Sequence, residues 1–570
     1  MIELKNDKTD VKCMSGKVSW LEDIADRTIS NINPQGKTII CASGISPSGH
    51  IHLGNMRELM TPHLVAETII ARGLNAEHVL FWDDFDSLRK VPAGQPDWLH
   101  EHIGRPLTSI PDPNGQYVSY ADSFIAEFER GIKDLQIPIR VIRQSEEYLN
   151  GSYSELVRLA MAEREKISRI IDESKTGFKQ KADAPLQPEG EYFPFKPYCE
   201  IDDYASDITS YNDDTSEMTY CCPNCNHNGT MSLYDTPLRG KLSWKVDWPM
   251  RWSKYGIDFE PGGMDHATPG SSFSVGKRLV AEIFGGTPPE FVGYSFVGRK
   301  GYSSKMSSSR GDGITPDTIL NYIEPAMLRW MYAKRSPSSS FEIDLSAGGI
   351  RGEYDRWDAA NRKSVSNSGA DDGAIDLSVK TSAGDVPYSI PALRFSALAS
   401  TLDMVHGDVD RALSIILQSL KPDTEIKDID SIAIRIDRAL RFIEEILPAS
   451  ERIVVQDEFD HDYYEGISEV NRVGLALLVS GIDEHRNTVA ELELFIYSIP
   501  RLINEIPMDA PKSDELKVAQ SAFFKDVYQL ILGKDRGPRL STLLSTLDTN
   551  KLESLVSCPV TISPISAQHL

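Results

Sequence analysis

The chain has 570 residues, a formal net charge of −24 and 40% hydrophobic residues. At a soft prior of ~150 residues per domain, that length builds several domains with substantial cores. No apolar run reaches transmembrane length, and Met1 to Asp10 is mostly polar or charged, so neither a membrane span nor a signal pattern is expected. Seven cysteines, four of them bunched between Cys199 and Cys225, do not form a secreted disulfide framework. We therefore expect a soluble, cytoplasmic protein. The acidic excess excludes nonspecific nucleic-acid binding through the whole surface. A local basic track remains open, because charges beyond ~10 Å are largely screened.

Residues 1–30 carry little periodicity, although Trp20, Leu21 and Ile24 can start a short helix. Lys37 to Ser43 is short, apolar and partly β-branched, which predicts a buried strand. A glycine-rich turn, ASGISPSGHIHLGN, fills residues 42–55. Met56, Leu59, Met60 and Leu64 then keep helical spacing as far as Gly73, and His78 to Trp82 reads as a second strand ending on Asp83 and Asp84. In a strand-turn-helix unit of this kind, glycines let the backbone approach a ligand, and the helix start offers N–H groups to phosphate. The spacing is neither a Walker loop nor Gly-x-Gly-x-x-Gly. On this segment alone, His50 and His52 read equally well as ordinary turn residues.

Leu156, Leu159, Ala160, Ile167, Ile170 and Ile171 predict a helix, followed by a Pro- and aromatic-rich stretch at 184–199 and the cysteine cluster. This middle section interrupts the α/β pattern. The α/β pattern returns with the aromatic block at 244–252, with Gly262 to Ala267 and with a strand over Glu290 to Val297. A hydrophilic loop, GRKGYSSKMSSSRGDG, follows at 298–313; Lys305 and Ser307 to Ser309 can put an ammonium and hydroxyl donors on a polyphosphate, where composition alone gives a flexible surface loop. Ser364 to Gly384 lacks apolar periodicity and reads as a linker or long loop. Beyond Pro391 the pattern is helical, with Ile429, Ile432, Ile436, Leu440, Ile443 and Leu447 at steps of three and four. Such a helical half serves equally as a protein-interaction bundle, an extra domain or an RNA-binding module.

Cys222-Pro-Asn-Cys225 is one half of a zinc-ribbon spacing, and Cys199 lies upstream with Asp202, a possible oxygen ligand. His227 and Cys221 are alternative ligands. Asp265 follows two glycines and can accept from a ribose or an ammonium, unless it is a plain turn aspartate. Trp244 and Tyr294 can wall an aliphatic stem and attract its ammonium, or simply pack in a core.

Taken together, the turn at 42–55 and the loop at 298–313 resemble the paired signatures of class I aminoacyl-tRNA synthetases. The first lies on His52-Leu53-Gly54-Asn55 after Pro47-Ser48-Gly49, and the second on Lys305-Met306-Ser307-Ser308-Ser309, about 250 residues later. Asn55 stands where the first signature ends in histidine, and Ser308 stands where the second has another lysine. With Trp82 to Pro92, Trp244 to Trp252 and Gly263 to His266, these departures resemble the lysyl family of class I over residues 38 to 335.

The resemblance implies an α/β Rossmann-like class I synthetase catalytic domain with an inserted zinc-ribbon-like subdomain, followed by an all-α C-terminal anticodon-binding region. In chain order this gives an N-terminal extension over 1–30 and a catalytic domain over 31–340, with the insert at about 86–240. A connecting segment follows over 341–390, then the helical region over 391–570. The implied activity is ligation of L-lysine to tRNA(Lys) with ATP and Mg2+, with neither membrane nor DNA as partner; the resemblance leaves open whether activation itself needs tRNA. Non-tRNA adenylate chemistry and catalytically silent RNA binding are the rival readings; the helical half opposes the first, and His52, Gly54 and Lys305 oppose the second.

The implied catalytic residues are His52, Asn55 and Lys305. Around ATP the resemblance implies Pro47, Gly49, His52, Gly54, Asn55, Asp265, Lys305, Met306, Ser307 and Ser308. Around lysine it implies Gly44, Ser46, Asp84, Trp244, His266 and Tyr294. One structural Zn2+ is expected on Cys199, Asp202, Cys222 and Cys225. A second metal site that some relatives carry lacks its ligands here, because Asp112 to Tyr117 and Ser123 supply no cysteine or histidine.

Overall fold

The computed structural model describes residues 18–32, 36–175, 191–302, 306, 313–365, 372–389, 393–419 and 432–557. The chain divides into two compact units, residues 1–344 with 359–388, and residues 345–358 with 389–570.

The first unit is built on five parallel strands: β1 Ile39–Ile45, β2 Ala76–Trp82, β3 Arg140–Arg143, β4 Phe259–Gly263 and β5 Glu290–Tyr294. Their spatial order is β5-β4-β1-β2-β3, so the chain runs outward from β1 in both directions. Strands buried on both faces read as continuous apolar runs, and Ile39 to Ala42 and Val79 to Trp82 do so. Helices α1 Met56–Ala71, α2 Tyr120–Ile132, α3 Trp244–Tyr255 and α4 Ser272–Glu282 flank the strands in sequence. Ile40, Ala42, Val79 and Phe81 pack with Trp248, Trp252, Phe273 and Val280 of α3 and α4. In such sheets ligands bind beyond the carboxyl ends of the strands where the order reverses, which here is between β1 and β4.

Strand β3 lies inside the stretch expected to be insert. Only Val141 and Ile142 are apolar in it, and Arg140 and Val141 are exposed at the sheet edge, so its apolar signal is too short to read. The helix expected over 156–171 is broken at Glu163 into Ser154–Ala162 and Arg164–Lys175. The cysteine-bearing part is a three-stranded antiparallel meander, Asp207–Asn212, Glu217–Cys221 and Asn228–Ser232, beside the short antiparallel pair Phe195–Pro197 and Gly240–Leu242.

The stretch read as a linker folds in part with the first unit. Helix Asp372–Val379 buries Ala374, Ile375 and Leu377, too few residues to show a period. Buried Arg329 donates to the carbonyls of Leu377 at 2.6 Å and Ser378 at 3.2 Å, fixing its end. Conversely, residues 345–358 of the expected connecting segment belong with the helical unit.

The second unit contains helices and no strand among its described residues. Leu475, Leu478, Ile482, Leu492, Ile496, Phe523, Val527, Leu530 and Leu544 form its apolar core. Ser468, Thr488, Ser513 and Asp548 each accept a backbone N–H three residues on, satisfying helix starts that would otherwise be orphaned. Of the heptad-like set, Ile429 lies outside the described residues, while Ile432, Ile436, Ile443 and Leu447 are buried.

Candidate active site

The turn after β1 is organised around His52. Its backbone N–H donates to Asn55 Oδ1 at 3.2 Å, and the Gly54 N–H donates to its Nδ1 at 3.0 Å. A ring nitrogen that accepts carries no proton, so the imidazole proton sits on Nε2. Gly54 permits this closure, because a Cβ there would lie 2.7 Å from His52 Cε1. Asn55 spends its carboxamide oxygen on the turn and stands at the start of α1. His50 points away and pairs with Glu127 of α2 at 2.7 Å, which raises its pKa. Pro47 and Gly49 are buried in the turn, and Ser46 is exposed.

Lys305, Ser307, Ser308 and Ser309 lie outside the described residues, but the segment that follows them meets the same turn. Leu53 N–H donates to the Ile314 carbonyl at 2.8 Å, and Gly313 lies so close that a Cβ would stand 2.5 Å from His52 Cβ. Met306 is fully buried. Residues 313 and 314 therefore meet the His52 turn.

Gly44, at the end of β1, donates its N–H to Glu58 Oε1 at 3.5 Å, and the Tyr294 hydroxyl donates to Glu58 Oε2. Trp244 stacks on Trp248 with centroids 5.1 Å apart, and His266 meets the Trp248 edge at 5.7 Å. Asp265 is exposed beside it. Asp84 is not brought to this crevice. It is fully buried, and its oxygens accept from Arg143 Nε at 2.8 Å and from the N–H and hydroxyl of Ser145 at 2.9 and 2.6 Å.

Sequence reasoning missed the buried carboxylates of the crevice, Glu58 and Glu260. Burial pushes Glu58 up to about 8, opposed by the Tyr294 hydroxyl. Burial likewise pushes Glu260 up to about 7, opposed by the indole N–H of Trp252, which donates to it at 2.7 Å. The available signal was Arg57-Glu58 inside a helix whose residues Met56 to Ile69 are all buried. Charges kept in such a place have a partner or a ligand. Arg57 uses its own on loop carbonyls, including Ser339 at 2.8 Å.

In the meander, one ligand atom each from Cys199, Asp202, Cys222 and Cys225 lies within 4.8 Å of the others. Cys199 Sγ is 3.6 Å from Cys225 Sγ, and Cys222 Sγ is 3.5 Å from Asp202 Oδ1. Sulfurs on a tetrahedral zinc with bonds of about 2.3 Å stand ~3.8 Å apart, so the donor set and spacing fit that ion. Neither alternative joins the set: His227 Nε2 is paired with Glu200 at 2.7 Å, and Cys221 Sγ faces the Cys222 carbonyl. Where the second metal site would lie, Asp112 holds the loop by accepting the N–H groups of Gln116 at 2.8 Å and Tyr117 at 3.0 Å.

A parallel sheet of order β5-β4-β1-β2-β3, with a histidine turn at its switch point, defines a fold of the Rossmann-like class. The family model of class I tRNA synthetases (K) matches residues 18–382, and the chain belongs to that family. A lysine–tRNA ligase of Streptomyces coelicolor is 39% identical over 94% of this chain and 98% of its own length. Lysine–tRNA ligases of Pyrococcus furiosus and Pyrococcus horikoshii are 31% and 30% identical, each over 93% of this chain and 98% of their own.

Proposed function

We propose that this protein is a lysine–tRNA ligase. It activates L-lysine with ATP and transfers the lysyl group to tRNA(Lys), releasing pyrophosphate and then AMP. The carrying observation is the Glu58 carboxylate, buried in the first turn of the helix that follows the His52 turn, beside Gly44 and held by Tyr294. An ammonium entering there meets a carboxylate that burial alone disfavours as an anion, so cation and site stabilise each other.

In this reading the lysine carboxylate attacks the α-phosphate while the protein positions the reactants and neutralises spreading phosphate charge. The Nε2–H of His52 donates to phosphate, Lys305 adds an ammonium with Mg2+ on the nucleotide, and Asp265 holds the ribose. Trp244, Trp248 and His266 wall the amino-acid side, and Ser46 borders it. The ribose hydroxyl of the tRNA end then attacks the lysyl carbonyl and expels AMP.

Cys199, Asp202, Cys222 and Cys225 would hold one structural zinc; elemental analysis of purified protein is expected to find about one per chain. The helical unit would read the anticodon, and charging of tRNA(Lys) with a substituted anticodon is expected to fall. Amino-acid-dependent ATP–pyrophosphate exchange over the standard amino acids, with and without tRNA, tests the central reading. Exchange driven by arginine or glutamate at higher kcat/KM than lysine overturns it.

A further inference from the structure

Beneath the crevice lies a charge cluster that none of the residues discussed so far explains. Lys241, from the short strand Gly240–Leu242, has a buried side chain whose Nζ donates to Asp86 and lies 3.5 Å from Asp83 Oδ1 and 3.8 Å from Asp247 Oδ2. Arg251 of α3, also buried, donates through Nη2 to both Asp83 and Asp247. Tyr148 donates to the remaining oxygen of Asp247. Three carboxylates thus face two cations. The desolvation of such a group costs several kcal/mol per ion, which apolar residues of the same volume would avoid.

Arg251 and Lys241 both engage Oδ1 of Asp83. Oδ2 makes no hydrogen bond among the described residues and stands 3.7 Å from where a Cβ on Gly44 would be. Gly44 is the residue that donates to Glu58. The Arg251 guanidinium also lies over the Trp244 ring at 5.3 Å, on the wall of the same crevice. One pair of buried cations therefore orients a carboxylate beside Gly44, and one of the two also contacts Trp244.

We propose that Asp83 is a specificity-determining residue of the amino-acid site, its Oδ2 accepting from an ammonium of the substrate. Lys241 is the positioning residue that the inserted region contributes to hold it. The inference rests on the lysine reading above and deepens it: lysine carries two ammonium groups, and Glu58 and Asp83 give the crevice two carboxylates to receive them. A substrate with a neutral side chain leaves one of these buried acceptors unmet, and an unmet buried acceptor is where discrimination comes from.

The test is steady-state ATP–pyrophosphate exchange on the full chain in the presence of tRNA(Lys), for wild type, Asp83→Asn, Lys241→Met and Lys241→Arg. Asp83→Asn, which changes no shape, is expected to raise the KM for lysine by on the order of tenfold or more while the KM for ATP moves less than about twofold. Lys241→Met is expected to do the same, and Lys241→Arg to recover most of the loss, since a second cation again holds Oδ1. A lysine KM unchanged in folded Asp83→Asn overturns the proposal; so does a parallel rise of both KM values, or a Lys241→Arg variant no better than Lys241→Met. If Lys241→Met does not fold, Asp83→Asn and Lys241→Arg still decide. The wild-type amino-acid preference is measured first. Another amino acid preferred there refutes the lysine reading, whereas loss of the KM split refutes only this one.

Discussion

The strand-switch crevice of the first unit and the helical core of the second handle charge in opposite ways. Around the crevice Glu58, Asp83, Lys241, Asp247, Arg251 and Glu260 are all buried. The helical core around Leu478, Phe523 and Leu544 is apolar, and charge is buried beside it in few places, such as the Arg435–Asp358 pair at 3.0 Å. Burying an ion is costly unless geometry or a ligand compensates. A region rich in such ions gives up stability for recognition, and a region with few of them uses its residues for packing.

The largest expected effect tests the second region. Arg435→Met leaves Asp358 buried without its cation, which predicts a loss of about 3–5 kcal/mol in the stability of that unit. Denaturant unfolding followed separately in the two units measures it. A loss below about 1 kcal/mol would mean that the pair is as dispensable as a surface one.

Next comes Lys305→Ala, expected to slow lysyl-adenylate formation by roughly 10²–10³, as for removal of one preorganised charge-stabilising donor. Near-normal single-turnover activation would remove Lys305 from the site. Gly54→Ala is smaller. Its methyl must displace the His52 ring, a cost of roughly 1–3 kcal/mol, and the readout is weakened ATP use with the lysine affinity retained. A silent Gly54→Ala would show that the His52 turn is softer than its contacts.

The subtlest prediction concerns protons. Glu58 has a folded-state pKa raised to about 8. The free protein therefore binds a proton that the unfolded chain has released, and its stability falls as pH rises from the usual carboxylate range through about 8. A bound ammonium favours the carboxylate, so lysine binding near pH 7 is expected to release a fraction of a proton. Calorimetry of lysine binding in buffers of different ionisation enthalpy detects this, and Glu58→Gln should abolish the buffer dependence. Heats independent of buffer in the wild type would argue that Glu58 does not meet the ammonium.

Much of this was legible in the residues. The apolar runs at 39–45 and 76–82, the glycine turn between them, and Cys199 with Cys222 and Cys225 are local patterns, and local patterns survive in sequence because strand, turn and ligand spacing depend on near neighbours. The approach of residues 313 and 314 to the His52 turn, Leu53 on Ile314 and Gly313 against His52, was not readable. Strand β3 escaped because an edge strand needs only Val141 and Ile142 to be apolar. Helix Asp372–Val379 escaped because Arg329, distant in sequence, fixes its end.

What only the tertiary structure decided is the use of charge. Asp83 and Asp84 are adjacent and chemically identical, so composition and spacing give them the same role. The fold turns Asp84 away to Arg143 and Ser145 and sets Asp83 beneath Gly44. The physical reason is that side chains one residue apart beyond a strand point in different directions. The desolvation and pairing that give a carboxylate its role come from elements such as Lys241 and Arg251, more than 150 residues away along the chain.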